Sequence, residues 1–159
     1  MTDARPAPST GHTPAPTPGS DGGIDPRGPR FAAGITAVVL AATVVTASPW
    51  LLAAQLLVFA TGSLLGVQRS PYSWIYRRFV RPRLAAPTEL EDPAPPRFAQ
   101  TVGLTVAGVA LVLALLGVDA AVVVGAGLAF VAAFLNAAVD LCLGCRIYLL
   151  LARARTRST

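Results

Sequence analysis

Two cysteines, Cys142 and Cys145, lie at the end of the chain's last apolar stretch, DLCLGCRIYLLLARART, Asp140 to Thr156. They are the only cysteines present, and their C-x-x-C spacing suits three kinds of chemistry. As a dithiol they would exchange with another disulfide or carry sulfur, one thiolate attacking and the other resolving. As metal ligands they are half of a closed tetrahedral zinc site. The one histidine, His12, sits in the N-terminal tail, so four thiolates would have to come from two copies of the chain. As packing residues, two cysteines three apart on a continuous helix extend a stripe of Leu135, Ala138 and Leu149, and a free Cys behaves as a small hydrophobe. Arg146, four residues after Cys142, favours a thiolate there, whereas a place near the C-terminal end of a long helix opposes it. Local chemistry leaves all three readings open.

Asn136 and Asp140 are four apart and share a face roughly opposite the cysteines on an unbroken helix, which makes Asp140 a poor base for them. Polar groups at membrane depth turn to the bundle interior and find partners, and Gln55 and Gln100 are the candidates. The face reads as helix–helix hydrogen bonding or as a transport or proton path. Glu89, Glu91 and Asp92 cluster among prolines, which predicts pairing with nearby arginines. The sequence holds no nucleotide-binding loop, no Ser-His-Asp set and no paired carboxylates at a plausible catalytic site. That argues against a conventional soluble-type enzyme, and no cofactor is expected.

Composition identifies the elements that must position these groups. Of 159 residues, 53% are hydrophobic and only 13% charged, with a mean hydropathy of +0.58, too little charge to cover a soluble domain. The expected fold is an all-α membrane protein, a four-helix membrane domain over 30–152. Its spans run about 31–47, 50–67, 98–116 and 120–141. Ser48-Pro49 and Gly117-Val118-Asp119 make the turns of two helical hairpins. The last helix extends to about residue 152, roughly 50 Å from Ala120 if unbroken, against a hydrocarbon core of about 30 Å, so it must tilt, protrude or bend, with Gly144 the plausible bend. Pro29-Arg30-Phe31-Ala32 recurs as Pro96-Arg97-Phe98-Ala99 at the start of each hairpin, which reads as a duplication.

Residues 1–29 are rich in Pro, Gly, Ser and Thr, hold one aliphatic residue beyond Met1 (Ile24), and are expected to be disordered. The 68–97 loop mixes Tyr72, Trp74, Tyr76 and Phe79 with arginines, the pattern of a short amphipathic helix lying in the headgroup layer. Residues 153–159 form a basic tail. All 13 basic residues are arginine, and they fall in the N-terminal tail, the middle loop and the C-terminal end, none in the two turns. The positive-inside rule then places both termini and the loop in the cytoplasm, with the chain in a bacterial inner membrane. Lipid, not nucleic acid, is the partner those arginines predict. The cysteines accordingly face a reducing compartment, where a permanent structural disulfide is not expected.

Taken together, RSPY (69–72), RPRL (81–84), ELEDPAPPRFAQ (89–100), AAFLNA (132–137) and CLGCRIYLL (142–150) resemble an actinobacterial membrane-protein family known as domain of unknown function 4395, over roughly residues 29–152. The resemblance implies four spans and no established activity. It also implies a neighbourhood of thioredoxin-like or sulfurtransferase proteins, which turns the pair toward thiol or sulfur exchange. Asp140-Leu141 stands where the family is expected to have Gly-Phe, and Arg146 where it is expected to have an acidic residue. On this reading Cys142 attacks, Cys145 resolves, and Arg146 stabilises the thiolate. A metal-binding or small transport protein, with a homodimer joining four thiolates, and a purely structural membrane module are the alternatives.

Overall fold

Proline, glycine and left-handed residues set the helix ends in the computed structural model, which describes residues 23–156. Helix α1 (Arg27–Thr46) carries no proline and no charge within its apolar run from Phe31. Two of its threonines bond within the helix, Thr43 and Thr46 donating to the carbonyls of Val39 and Ala42 at 2.9 and 2.7 Å. Ala47 in the left-handed region (φ 49°) ends it, and Ser48 caps α2 (Pro49–Ala60) by accepting the Leu51 N–H, with Pro49 in the first turn. The helix runs on through a wider turn to Leu65 and stops at Gly66, φ +96°, so the second apolar helix covers Pro49–Leu65.

After the short helix α3 (Pro71–Ile75) and irregular helical turns to Arg83, α4 (Ala94–Leu115) starts on two prolines, Asp92 Oδ1 accepting the Ala94 N–H at 2.8 Å. Gly117 (φ +89°) makes the turn into α5 (Ala120–Val139), and α6 (Leu143–Thr156) closes the described chain. Helices α1, α4 and α5 are long and apolar enough to cross a membrane; Pro49–Leu65 is a shorter apolar helix.

The packing is that of a membrane protein, small side chains inside and large apolar ones outside. Ala107 and Ala126 are wholly buried, while Leu115, Val45 and Trp50 are more than 80% exposed, and Leu40, Leu52 and Phe59 fill the centre. Such a surface is a liability in water and natural in lipid, where close approach of small residues is what holds helices together. Gly125 lies against Ala110 where α5 crosses α4, so a β-carbon at that position would overlap the alanine.

Several expectations are corrected. The predicted disorder of 1–29 lies outside the described residues up to 22, but 23–29 are ordered. Ile24, 8% exposed, exchanges two backbone hydrogen bonds of 2.9 Å with Glu91, and α1 already begins at Arg27. The segment is tied to the loop by the Ile24–Glu91 bonds, by Arg27 donating to the Ala85 carbonyl at 3.0 Å and by the Tyr76 hydroxyl donating to Asp25 Oδ2 at 2.9 Å.

The loop's amphipathic helix is a helical stretch from Pro71 to Arg83 whose winding changes at Tyr76 and again at Arg81, and Tyr76 is buried against α1, not turned outward. Arg27 and Arg30 pair with Asp25 and Asp140, outside the 89–92 cluster. Arg153 and Arg155, assigned to a tail, belong to α6. The continuous helix from Ala120 to 152 is broken at Asp140–Cys142, ahead of Gly144.

Candidate functional site

The break is what builds the site. Helix α5 ends when Asp140 adopts a left-handed conformation (φ 58°), its N–H and that of Leu141 closing on the Leu135 carbonyl. Asp is among the few residues that enter this region at modest cost. Arg30 of α1 reaches the turned-out carboxylate at 3.3 Å, tying the start of α1 to the end of α5. Both partners are solvent-accessible, so the pair positions more than it stabilises, about 0–1 kcal/mol.

Helix α6 then starts at Leu143, with Cys142 in the capping position and Cys145 in the first turn. The two are joined as a disulfide with Cα atoms 5.2 Å apart, the separation such a bridge requires. The Cys145 N–H donates to Cys142 Sγ at 3.2 Å, and the Arg146 N–H closes the turn on the Cys142 carbonyl at 3.0 Å. The cysteines therefore lie at a helix N-terminus, where unpaired N–H groups and the positive end of the dipole favour a thiolate, and not near a C-terminus as a continuous helix would place them. Nor do they continue the Leu135–Ala138 stripe, because the break turns them away from α5. The Arg146 side chain is exposed on the same turn.

Helix α6 docks on the start of α4. A β-carbon on Gly144 would sit 2.6 Å from both Cα and Cβ of Ala99, and Tyr148 packs on Phe98 with ring centroids 5.8 Å apart. Only glycine permits that approach. Cys142 and Cys145 are half-buried. Among the described residues no three His, Cys, Asp or Glu side chains gather as metal ligands.

The other predicted residues separate. Asp140 goes to Arg30. Asn136 lines a cavity of about 250 Å³ between α1, α4, α5 and the start of α6, with Gln100 and Gly144 in the same wall. The partners expected for them do not form: Gln55, 1% exposed, donates to Thr36 Oγ1 at 3.4 Å and accepts from the Tyr72 hydroxyl at 2.9 Å.

A wider groove of about 850 Å³, lined by Arg77, Arg81, Asp25 and Glu89 among others, includes neither cysteine. At its edge burial pushes the Asp25 carboxyl up, but the hydrogen bonds from Arg27 and Tyr76 together outweigh it and hold the group below the ordinary carboxylate range. Burial and the bond to Asp25 push the Tyr76 phenol up. The cavity and the Asp25 clasp were missed in sequence; Gly144 between the cysteines and the lone Ile24 were their signals.

Long apolar helices, a small-residue interior and a C-x-x-C pair at a helix start define a helical protein of the membrane class. The chain belongs to the family described as Domain of unknown function (DUF4395), which matches residues 24–153. The match begins at Ile24, the residue that clasps Glu91, and takes in both cysteines. No curated protein and no solved structure matches it.

Proposed function

We propose that the protein is a four-span inner-membrane protein that presents the Cys142–Cys145 dithiol on its cytoplasmic side to a thioredoxin-like or sulfur-carrying partner. The observation that carries this reading is the place of Cys142 at the N-terminus of α6, with the Cys145 N–H aimed at its sulfur. In the reduced form that N–H and the helix dipole stabilise the Cys142 thiolate, and Arg146 adds positive charge one turn on. The thiolate attacks one sulfur of the partner's disulfide and the other sulfur leaves as a thiolate. Cys145 then attacks Cys142 Sγ, closing the intramolecular bridge and releasing the partner as a dithiol, so two electrons pass from this chain to the partner. Run backwards, the same steps oxidise the partner.

The membrane arrangement of this reading has two duplicated hairpins inserted in the same sense, with both termini cytoplasmic. Two paired features support it. Pro29 and Pro96 are each the third residue of their helix, α1 and α4. The arginine after each holds the end of the other hairpin's second helix: Arg30 pairs with Asp140 after α5, and Arg97 donates to the Ser63 and Leu64 carbonyls after α2, at 2.7 and 3.2 Å.

The test is the redox midpoint of the pair in native membranes, by maleimide mass-tagging over a graded dithiothreitol series with Cys142→Ser as control. The expected result is a reversible two-thiol transition between about −180 and −300 mV, the range of working dithiols. Cysteines that never pair, or that label only after the membrane is dissolved, would overturn the reading.

A further inference from the structure

The groove beside the Asp25 clasp carries charge that the protein leaves unanswered. Ser73, Arg77 and Arg81 stand four apart along the Pro71–Arg83 stretch, and all line the groove. Among the described residues neither arginine side chain makes a hydrogen bond or an ion pair. Asp25 is already taken: Arg27 donates to both its oxygens, at 2.9 and 3.0 Å, and the Tyr76 hydroxyl to Oδ2 at 2.9 Å. Glu89, on the 86–90 wall, is exposed and also without an ion pair among the described residues. The groove therefore offers a ligand the guanidiniums of Arg77 and Arg81 and the carboxylate of Glu89.

An apolar space continues from it. Pro29, Val67 and Ser73 border both the groove and the cavity between α1, α4 and α5, so the two adjoin where α1 begins and just after the second apolar helix ends. On α4 the cavity lining runs from Pro96 to Val106, about 15 Å at 1.5 Å per residue, half of a hydrocarbon core of about 30 Å. Its volume of about 250 Å³ is about eight times that of a water, too large for a packing void. The outer side is open: Leu128 is 64% and Ile147 46% exposed, side chains that face lipid in a membrane. A charged groove that adjoins an apolar slot of one leaflet's depth fits an amphiphile with a small polar head.

We propose that groove and cavity together bind one ethanolamine phospholipid of the bilayer, its phosphodiester on Arg77 and Arg81, its ammonium on Glu89 and one acyl chain in the slot. The site rests on the membrane class of the protein and not on thiol exchange, since neither cysteine borders either space. Guanidinium forks match phosphate oxygens, and the bonds they make there are charge-assisted. In an ethanolamine head a short linker joins the phosphate to the ammonium, so one groove must supply both signs, as this one does. A glycerol head brings no cation to Glu89, and a choline head has no N–H to donate to it. The Ser73 hydroxyl, on the shared border, donates to an ester oxygen of the glycerol backbone that crosses there. The second acyl chain stays in the bilayer beyond Leu128 and Ile147.

Native mass spectrometry of the delipidated full chain tests this, with ethanolamine, glycerol and choline phospholipids of the same acyl chains. One ethanolamine lipid per chain is expected, bound about tenfold or more tightly than the other two. Arg77→Gln/Arg81→Gln should weaken it about tenfold or more, and Ala132→Leu, which fills the slot, should act alike. Glu89→Gln should abolish the preference for the ethanolamine head. Arg69→Gln/Arg78→Gln removes the same charge outside the groove and should have no effect, nor should Cys142→Ser/Cys145→Ser. Each variant is first shown to melt as a folded protein. Equal losses from the two arginine pairs would reduce the binding to general attraction of charge and overturn the site. Equal affinity for the three heads, or an unaltered preference in Glu89→Gln, would overturn the choice of ethanolamine. Glycerophosphoethanolamine or inorganic phosphate binding as tightly as the whole lipid would make this a site for a soluble phosphate compound and overturn the bilayer as its source. A lipid that binds as described while the cysteines never pair would uphold the site and sink the thiol-exchange reading alone.

Discussion

Replacing Gly144 with alanine should lift the cysteine turn off its support. The added β-carbon would lie 2.6 Å from Cα and from Cβ of Ala99, against about 3.5–4.0 Å for a relaxed carbon–carbon contact. An overlap of about 1 Å falls partly on backbone, which cannot rotate away, so α6 itself must move. Overpacking of this kind costs about 1–3 kcal/mol, about a 5- to 150-fold shift from docked to undocked α6. The Tyr148–Phe98 contact is the next to loosen.

Amide hydrogen exchange over residues 143–150, measured in lipid nanodiscs, should therefore accelerate by that factor while the exchange of α5 stays unchanged. Adding Ala99→Gly removes the overlap with Cβ but leaves that with Cα, so the double variant should recover only part of the protection. Exchange within about twofold of wild type in Gly144→Ala would refute the close approach of α6 to α4, and with it the placement of the cysteines.

Three further outcomes follow from the same geometry. Asp140→Ala should lower the melting temperature more than Asp140→Asn. Alanine in the left-handed region costs about 1–2 kcal/mol, whereas asparagine keeps the conformation and loses only the exposed pair with Arg30, about 0–1 kcal/mol; equal effects would show that the turn does not depend on residue 140. Asp25, held below the ordinary carboxylate range, contributes stability above its unfolded pKa of about 3.9 that is lost as the pH falls through its folded value. Protection of residues 23–29, corrected for intrinsic exchange, should drop below about pH 4 in wild type and be low throughout in Asp25→Asn; an identical pH profile in the two would exclude Asp25 as the clasp. On a cysteine-free background, Asp119→Cys should react with impermeant maleimide from outside intact cells and Arg69→Cys only after lysis, and the reverse pattern would invert the proposed orientation.

Sequence pattern predicted the helices far better than their junctions. The four apolar stretches all fold as helices because a long run without charge in an Ala- and Val-rich chain has no competing structure in lipid. Ser48-Pro49 and Gly117 mark their turns for reasons of local geometry that need no partner. Ile24 stands in a segment expected to be disordered and Tyr76 in a helix expected at the headgroup layer; what buries them is tertiary, Ile24 pairing with Glu91 and Tyr76 packing on Gly28 and Phe31 of α1, contacts between segments distant in sequence. Hydropathy cannot register such a pairing. The same holds for Gln100 and Asn136, whose shared cavity arises from how α1, α4 and α5 meet.

The break at Asp140 has the largest consequence, and its cause is local. A uniformly apolar window conceals it, because Leu141, Leu143 and Leu149 continue the hydrophobic run on either side. Asp140 is the one acidic residue between Asp119 and the C-terminus, and at that point a left-handed turn exposes its carboxylate to Arg30, while a continuous helix would keep it in apolar surroundings. Once the turn forms, the field at the cysteines changes. Within an unbroken helix they would lie turns away from either end, beyond the reach of its dipole. At the start of α6 they face the equivalent of about +0.5 charge from its free N–H groups. One residue in a left-handed conformation thus moves the pair from the interior of a helix to the start of one. Asp140 sets where the cysteines stand without touching them.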